Sequence, residues 1–122
     1  MIRASAVVID VNDLATETAF WTGLLGARAE PSTDEGWVDV VRLAEGGPML
    51  GLQVVQEAKS AKNRLHLDLE VTDFAEARDL AIFLGATAVS DVHEPELPWQ
   101  VLADPEGNEF CLISLGQPIA PV

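Results

Sequence analysis

The spacing of apolar positions switches from one period to another and back, and the chain does this twice. From Ser5 to Val11 the apolar residues are dense and rich in Val and Ile, which predicts a buried strand. Asn12 or Asp13 then offers a helix cap. Leu14, Phe20, Trp21, Leu24 and Leu25 fall mostly on one helical stripe, and Gly26 permits the left-handed turn that ends it. A short strand near 27–31 is expected next. Two further strand-like runs, Gly36 to Leu43 and Pro48 to Val55, flank Ala44-Glu45-Gly46-Gly47, a hairpin connection with glycine where positive φ is needed.

The second half repeats this order. Arg64-Leu65-His66-Leu67-Asp68-Leu69-Glu70-Val71 alternates strictly. Leu65, Leu67, Leu69 and Val71 are predicted on one face, and His66, Asp68 and Glu70 on the other. Asp73 and Glu76 stand at capping-box spacing before a helix with Ala77, Leu80, Ala81 and Leu84 on one side, and Gly85 stops it. A strand around 87–90 and a Pro-bounded loop through His93, Glu94, Pro95 and Pro98 follow. The last hairpin runs from Trp99 to Ala103, turns at Asp104-Pro105-Glu106-Gly107-Asn108 and returns from Glu109 to Leu115. Asp13 and Asp73 lie 60 apart, Gly26 and Gly85 lie 59 apart, and Trp37 and Trp99 lie 62 apart. Each half reads strand, helix, three strands, giving a module at 1–58 and another at 63–116 within a single domain spanning 1–122. A polar, Lys-bearing connector from Gln56 to Asn63 joins them. A half-domain of this size buries little by itself, so the halves are expected to share a surface, and ligand clefts form on such surfaces.

Composition narrows the function classes. With 48% hydrophobic residues the chain can close a core, and a net charge of −13 argues against nucleic acid and anionic membranes, which are held by dense Lys/Arg contacts. No apolar run is long enough to span a bilayer, and the N-terminus lacks the pattern of a signal peptide. The single cysteine, Cys111, excludes an internal disulfide framework and agrees with a reducing, cytoplasmic setting.

The halves resemble the vicinal oxygen chelate superfamily, which contains glyoxalase I, extradiol dioxygenases, fosfomycin resistance proteins and bleomycin-binding proteins. The resemblance is carried by Val11-Asn12-Asp13-Leu14 with Phe20-Trp21 and Leu24-Leu25-Gly26-Ala27, by Arg64 to Leu69 with Asp73, and by Leu84-Gly85-Ala86. Its most specific part is Asp104-Pro105-Glu106-Gly107-Asn108-Glu109-Phe110-Cys111-Leu112, close to the glyoxalase-like branch. It implies an α+β fold of tandem βαβββ modules whose curved mixed sheets enclose a cleft. It also implies a homodimer, and one divalent metal held from the first and last strands of each module. By position those metal sites fall on Ala6 and near Gln53 in module one and on His66 and Cys111 in module two. Ala6 has no donor, Gln53 is a weak one, and Cys111 replaces the usual Glu, so this set falls short of about three well-placed donors.

Three functions stay open on the sequence. A binding module would hold a small apolar or aromatic ligand, with Trp37 and Trp99 as walls and His66, Asp68, Gln53 and Cys111 as further contacts, and would need no cofactor. A metal-dependent lyase, isomerase or dioxygenase acting on vicinal oxygens would need an improvised site drawing on His66, Gln53 and Cys111 with a carboxylate such as Asp68 or Glu109. A metal-free enzyme would use His66 as general base or Cys111 as nucleophile, the two catalytic candidates, if imidazole and thiol lie close enough to lower the cysteine pKa. Each residue also has a plain structural account: a hydrogen-bonded histidine, a buried inert thiol, tryptophans in the core or at its rim. Trp21 is expected in the core, His93 in an exposed loop, Glu109 at a solvated hairpin position, and Asp104 to Asn108 as turn residues.

Overall fold

A computed structural model describes residues 1–32 and 34–115. The position 116 expected as the end of module two lies outside the described residues. The chain divides into two compact units, Met1–Ala58 and a second that begins at Lys59.

In the first unit, β1 (Ala6–Val11) leads into α1 (Leu14–Leu25), followed by β2 (Glu30–Pro31), β3 (Trp37–Arg42) and β4 (Met49–Val54). The sheet order is β1-β4-β3-β2. β1 and β4 run parallel, as a crossover through a helix permits, and the remaining pairs are antiparallel. The second unit repeats this with β5 (Leu67–Val71), α2 (Phe74–Leu84), β6 (Thr87–Ala88), β7 (Trp99–Ala103) and β8 (Glu109–Ser114), in sheet order β5-β8-β7-β6 with β5 parallel to β8. The fold is the α+β arrangement of tandem βαβββ modules, each a mixed four-stranded sheet with one helix.

Local chemistry sets the helix boundaries in both units. Asp13 accepts from the Thr16 backbone N–H at 3.1 Å and Asp73 from that of Glu76 at 3.0 Å, so each aspartate satisfies one of the free N–H groups at its helix start. Gly26 (φ 61°) and Gly85 (φ 118°) end the helices in the left-handed region. One face of each sheet packs on its helix. In module one that core holds Val11, Phe20, Trp21, Val40, Leu50 and Leu52; in module two it holds Ala81, Leu102, Phe110 and Leu112. Among the described residues no helix is long and apolar enough to cross a membrane.

Three expectations need correction, and α1 adds a buried residue outside its expected stripe. Leu65 does not join the apolar face of β5: the strand starts at Leu67, and Leu65 is 71% exposed. Before β5 the chain meets β8 through a side chain, the Glu109 N–H donating to Asn63 Oδ1 at 3.0 Å. Leu80 faces outward rather than into the helix–sheet seam. It lines an open depression of about 280 Å³ with Glu70, Val71, Thr72, Asp73, Glu76 and Ala77. Glu17 was no part of the expected α1 stripe, yet it is fully buried and accepts from Trp21 Nε1 at 3.3 Å. Glu109 is not solvated either: its side chain is only 15% exposed and pairs with Lys62 at 2.5 Å. The final turn is turn chemistry as expected. Asp104 Oδ1 accepts from the backbone N–H groups of Glu106 and Asn108, and Asp104 Oδ2 accepts from the Asn108 amide.

Candidate functional site

Each sheet has a second face that its helix does not cover, and every polar candidate named above from a strand lies there. Register fixes who stands beside whom, because directly paired residues share a face. In module one, Asp10, Gln53 and Trp37 form one row, Val8, Gly51 and Asp39 a second, and Ala6, Met49 and Arg42 a third. Glu30 on β2 pairs with Asp39 and extends the middle row. Val40, buried in the core, is the extra residue of a bulge between Asp39 and Val41, after which Val41 pairs with Leu50 and Arg42 with Met49 on this face.

The Trp37 side chain turns back across this face and lies over Gly51. A Cβ at residue 51 would stand 2.7 Å from indole Cζ2 and 3.0 Å from Cε2, so only glycine fits beneath the ring. The indole Nε1 donates to Asp39 Oδ1 at 2.8 Å, which fixes the ring's orientation. Both Trp37 and Asp39 remain partly exposed.

The open face of module two is built on the same grid with different occupants. Asp68, Cys111 and Val101 form one row, and Trp99 pairs with Ile113, which in turn pairs with Glu70. His66 stands just before β5, and its Nε2 lies 3.2 Å from Asp68 Oδ1 with both side chains half exposed. Asp68 also stands directly across from Cys111. Burial pushes the Cys111 thiol above its ordinary pKa, and the neighbouring Asp68 carboxylate pushes it the same way. The pairing that would activate a nucleophile therefore runs in the wrong direction: the imidazole partners the carboxylate, and the carboxylate disfavours thiolate. Cys111 is a buried, free thiol. Trp99 stacks on His93, its bridge partner in the preceding loop, with ring centroids 4.2 Å apart and planes 20° apart. A backbone bridge between His93 and Trp99 and the left-handed Glu94 (φ 51°) hold that loop in a tight return.

The strand register also corrects one positional assignment. Cys111 stands two residues before the residue paired with Trp99, and the residue in the same place before the partner of Trp37 is Gly51, not Gln53. The position in module one that answers to Cys111 thus carries no side chain, and an indole covers it. A divalent metal in the superfamily's manner needs about three oxygen or nitrogen donors. Ala6 and Gly51 offer none, His66 supplies one nitrogen, and burial together with the Asp68 carboxylate disfavours the thiolate that Cys111 would have to contribute, which leaves the set short of three. These residues do not fit the group. Among the described residues no three His, Cys, Asp or Glu side chains are grouped so as to hold a metal ion.

Sequence reasoning missed Asp39, Asp10 and Gly51. The signal for Asp39 was present in the alternation Trp37-Val38-Asp39, which puts indole and carboxylate on one face. Gly51 was within reach as the counterpart of Cys111, since the 60-residue offset of Asp13 and Asp73 carries position 111 to 51, whereas its contact with Trp37 needed the cross-strand register.

The grid of two βαβββ modules defines a glyoxalase-type fold. The family model for the glyoxalase-like domain matches residues 6–113, and the chain belongs to that family. Among solved structures it is similar to a glyoxalase/bleomycin resistance protein/dioxygenase family enzyme from Burkholderia phytofirmans PsJN, at 21% identity and TM-score 0.75, covering 93% of this chain and 99% of that one. It is also similar to a glyoxalase-related enzyme from Fulvimarina pelagi (15% identity, TM-score 0.74, covering 100% of this chain and 93% of that one). A third is the fosfomycin resistance protein FosX from Mesorhizobium loti (18% identity, TM-score 0.72, covering 93% of each chain). At these identities the likeness is one of fold. No functionally curated protein matches the chain.

Proposed function

We propose that this chain binds a small, largely apolar or aromatic molecule against the open faces of its sheets and does not use the superfamily's metal chemistry. Trp37 and Gln53 are the contacts proposed on the open face of module one, and Trp99, His66, Asp68 and Cys111 those on the open face of module two, each face taken by itself. The observation that supports this best is the Trp37 indole over Gly51. Where a metal-binding module needs a donor side chain, this one presents aromatic surface, which serves a ligand through packing and stacking. A homodimer in a reducing, cytoplasmic setting belongs to the same proposal. Membership of the family supports the first, and the free, buried Cys111 agrees with the second.

Calorimetric titration with a panel of neutral and charged aromatic compounds tests the reading. Saturable heat from at least one class, weakened in Trp37→Leu or Trp99→Leu, is the expected result, and silence across the panel overturns it. Protein purified without chelator should carry well under one equivalent of Ni, Zn, Fe or Mn. Stoichiometric metal with a thermal shift would return the chain to metal-dependent chemistry. Light scattering at the mass of one chain, 13.1 kDa, would contradict the dimer.

A further inference from the structure

We infer that the open face of module one selects a planar organic cation, an aromatic ring system carrying a quaternary or protonated nitrogen. This rests on the small-molecule reading above and narrows its ligand class. The argument begins with what Trp37 has left to offer. Its only hydrogen-bond donor is already given to Asp39, so a ligand meets the π surface of the indole. That surface carries the negative face of the ring quadrupole and attracts cations within about 6 Å.

The surroundings act in the same sense. The Asp39 carboxylate lies at the ring's edge, Glu30 pairs with Asp39 across the sheet, and Asp10 stands in the Trp37 row beyond Gln53. The one cation in these rows, Arg42, lies at the far end, where its guanidinium donates to the Gly47 carbonyl at 2.6 Å. Exposed Val8 adds an apolar patch beside Gly51 for the body of a flat ligand. An anionic ring would meet three carboxylates, and a neutral one would gain only the stacking.

Module two does not offer the same surface. Cys111 occupies the place of Gly51, and the Trp99 ring is already stacked on His93. Cation selectivity is therefore assigned to the first module.

Three bicyclic probes of similar size separate the possibilities by calorimetry near pH 7.5 and low salt: N-methylquinolinium, quinoline and quinoline-4-carboxylate. The cation should bind about tenfold more tightly than quinoline, the carboxylate should bind weakest, and the cation's advantage should shrink as salt rises. Trp37→Leu should abolish binding of the cation. Asp39→Asn keeps an oxygen to accept from the indole and removes only the charge, so it should cut the preference several-fold even if the leucine variant does not fold. Equal binding of cation and quinoline, or an unchanged preference in Asp39→Asn, overturns the cation assignment while leaving an aromatic-binding protein. No heat from any of the three overturns both.

Discussion

The two modules share a fold and a strand register but distribute bulk in opposite ways, and the difference shows which features the fold requires. In module one the helix carries the volume: Phe20 and Trp21 are both about 1% exposed and pack edge to face, with centroids 5.3 Å apart. Their counterparts sixty residues on are Leu80, which faces outward, and Ala81, which is fully buried. The strands compensate in the reverse direction, since Leu50 in module one answers to Phe110 in module two, each with no exposed surface. A helix–sheet seam must be filled to crystal-like density, but either partner can supply the atoms. The open faces diverge in the same way: Gly51 leaves room that Trp37 takes, while Cys111 fills its own place and Trp99 stacks on His93.

The sharpest test of the first contrast removes each module's largest core side chain. Trp21→Ala should cost about 3–5 kcal/mol in urea unfolding, a loss of both ring volume and one hydrogen bond to buried Glu17. Phe110→Ala should cost a similar amount, about 3–5 kcal/mol. Ala81→Trp, which gives module two both bulky groups, should destabilise rather than help, by about 1–3 kcal/mol. A Trp21→Ala cost near zero would show that the helix does not carry the volume of module one.

Next in size is the contrast between Gly51 and Cys111. Gly51→Cys makes module one like module two at that position, and its Cβ would enter the space of the indole. A cost of about 1–3 kcal/mol is expected, together with a change in Trp37 fluorescence as the ring leaves Asp39. Gly51→Cys combined with Trp37→Leu should recover part of that loss, because the overlap is then gone. If the single variant is as stable as the parent and spectrally identical, the ring does not depend on the glycine.

What the sequence made legible follows the range of the forces involved. The caps at Asp13, Gly26, Asp73 and Gly85 are set within four residues, so their spacing alone located both helices. The order of elements along the chain followed from the repeat, and the mixed sheets from the resemblance. The open face of module one was harder, because its decisive contact joins Trp37 to Gly51 across a strand pair. Register across strands is invisible to single-strand alternation, and a bulge at Asp39 shifts it further. The place that answers to Cys111 was nearer at hand, since the 60-residue offset of the aspartates carries it to Gly51 and not to Gln53. The stacking of His93 on Trp99 depends on a tight loop return whose Glu94 adopts a conformation uncommon for a residue with a Cβ. Buried Glu17 was within reach, since Glu17 and Trp21 stand at i, i+4 spacing on α1.

The helix caps are where the modules agree, and they give a smaller effect. Asp73→Ala should cost about 1 kcal/mol, and Asp13→Ala should destabilise in the same direction. Hydrogen bonds from the backbone and hydroxyl of Thr16 hold the Asp13 carboxyl below its ordinary pKa. A depressed folded-state pKa means the unfolded chain binds the proton more readily. The cap's contribution is therefore present above the ordinary carboxylate range and is lost as pH falls through it toward the folded value. Acid titration of thermal unfolding should show this loss in the parent and a shallower one in Asp13→Asn. An equally steep fall in both would place the acid sensitivity elsewhere.

The last contrast concerns chemistry rather than stability. Cys111 sits where module one has no side chain, beside a carboxylate and away from solvent, and both influences keep it a thiol. Iodoacetamide attacks thiolate, so at neutral pH Cys111 in the folded protein should alkylate more slowly than a cysteine in a free peptide, and its rate should climb only at pH above the ordinary thiol range. Asp68→Asn removes one of the two influences and should bring that rise to lower pH, while full unfolding should bring the rate to the peptide's. Labelling faster than the peptide at neutral pH would mean that an unrecognised group stabilises thiolate, and the second module's open face would then have to be reconsidered as a nucleophilic site rather than a binding wall.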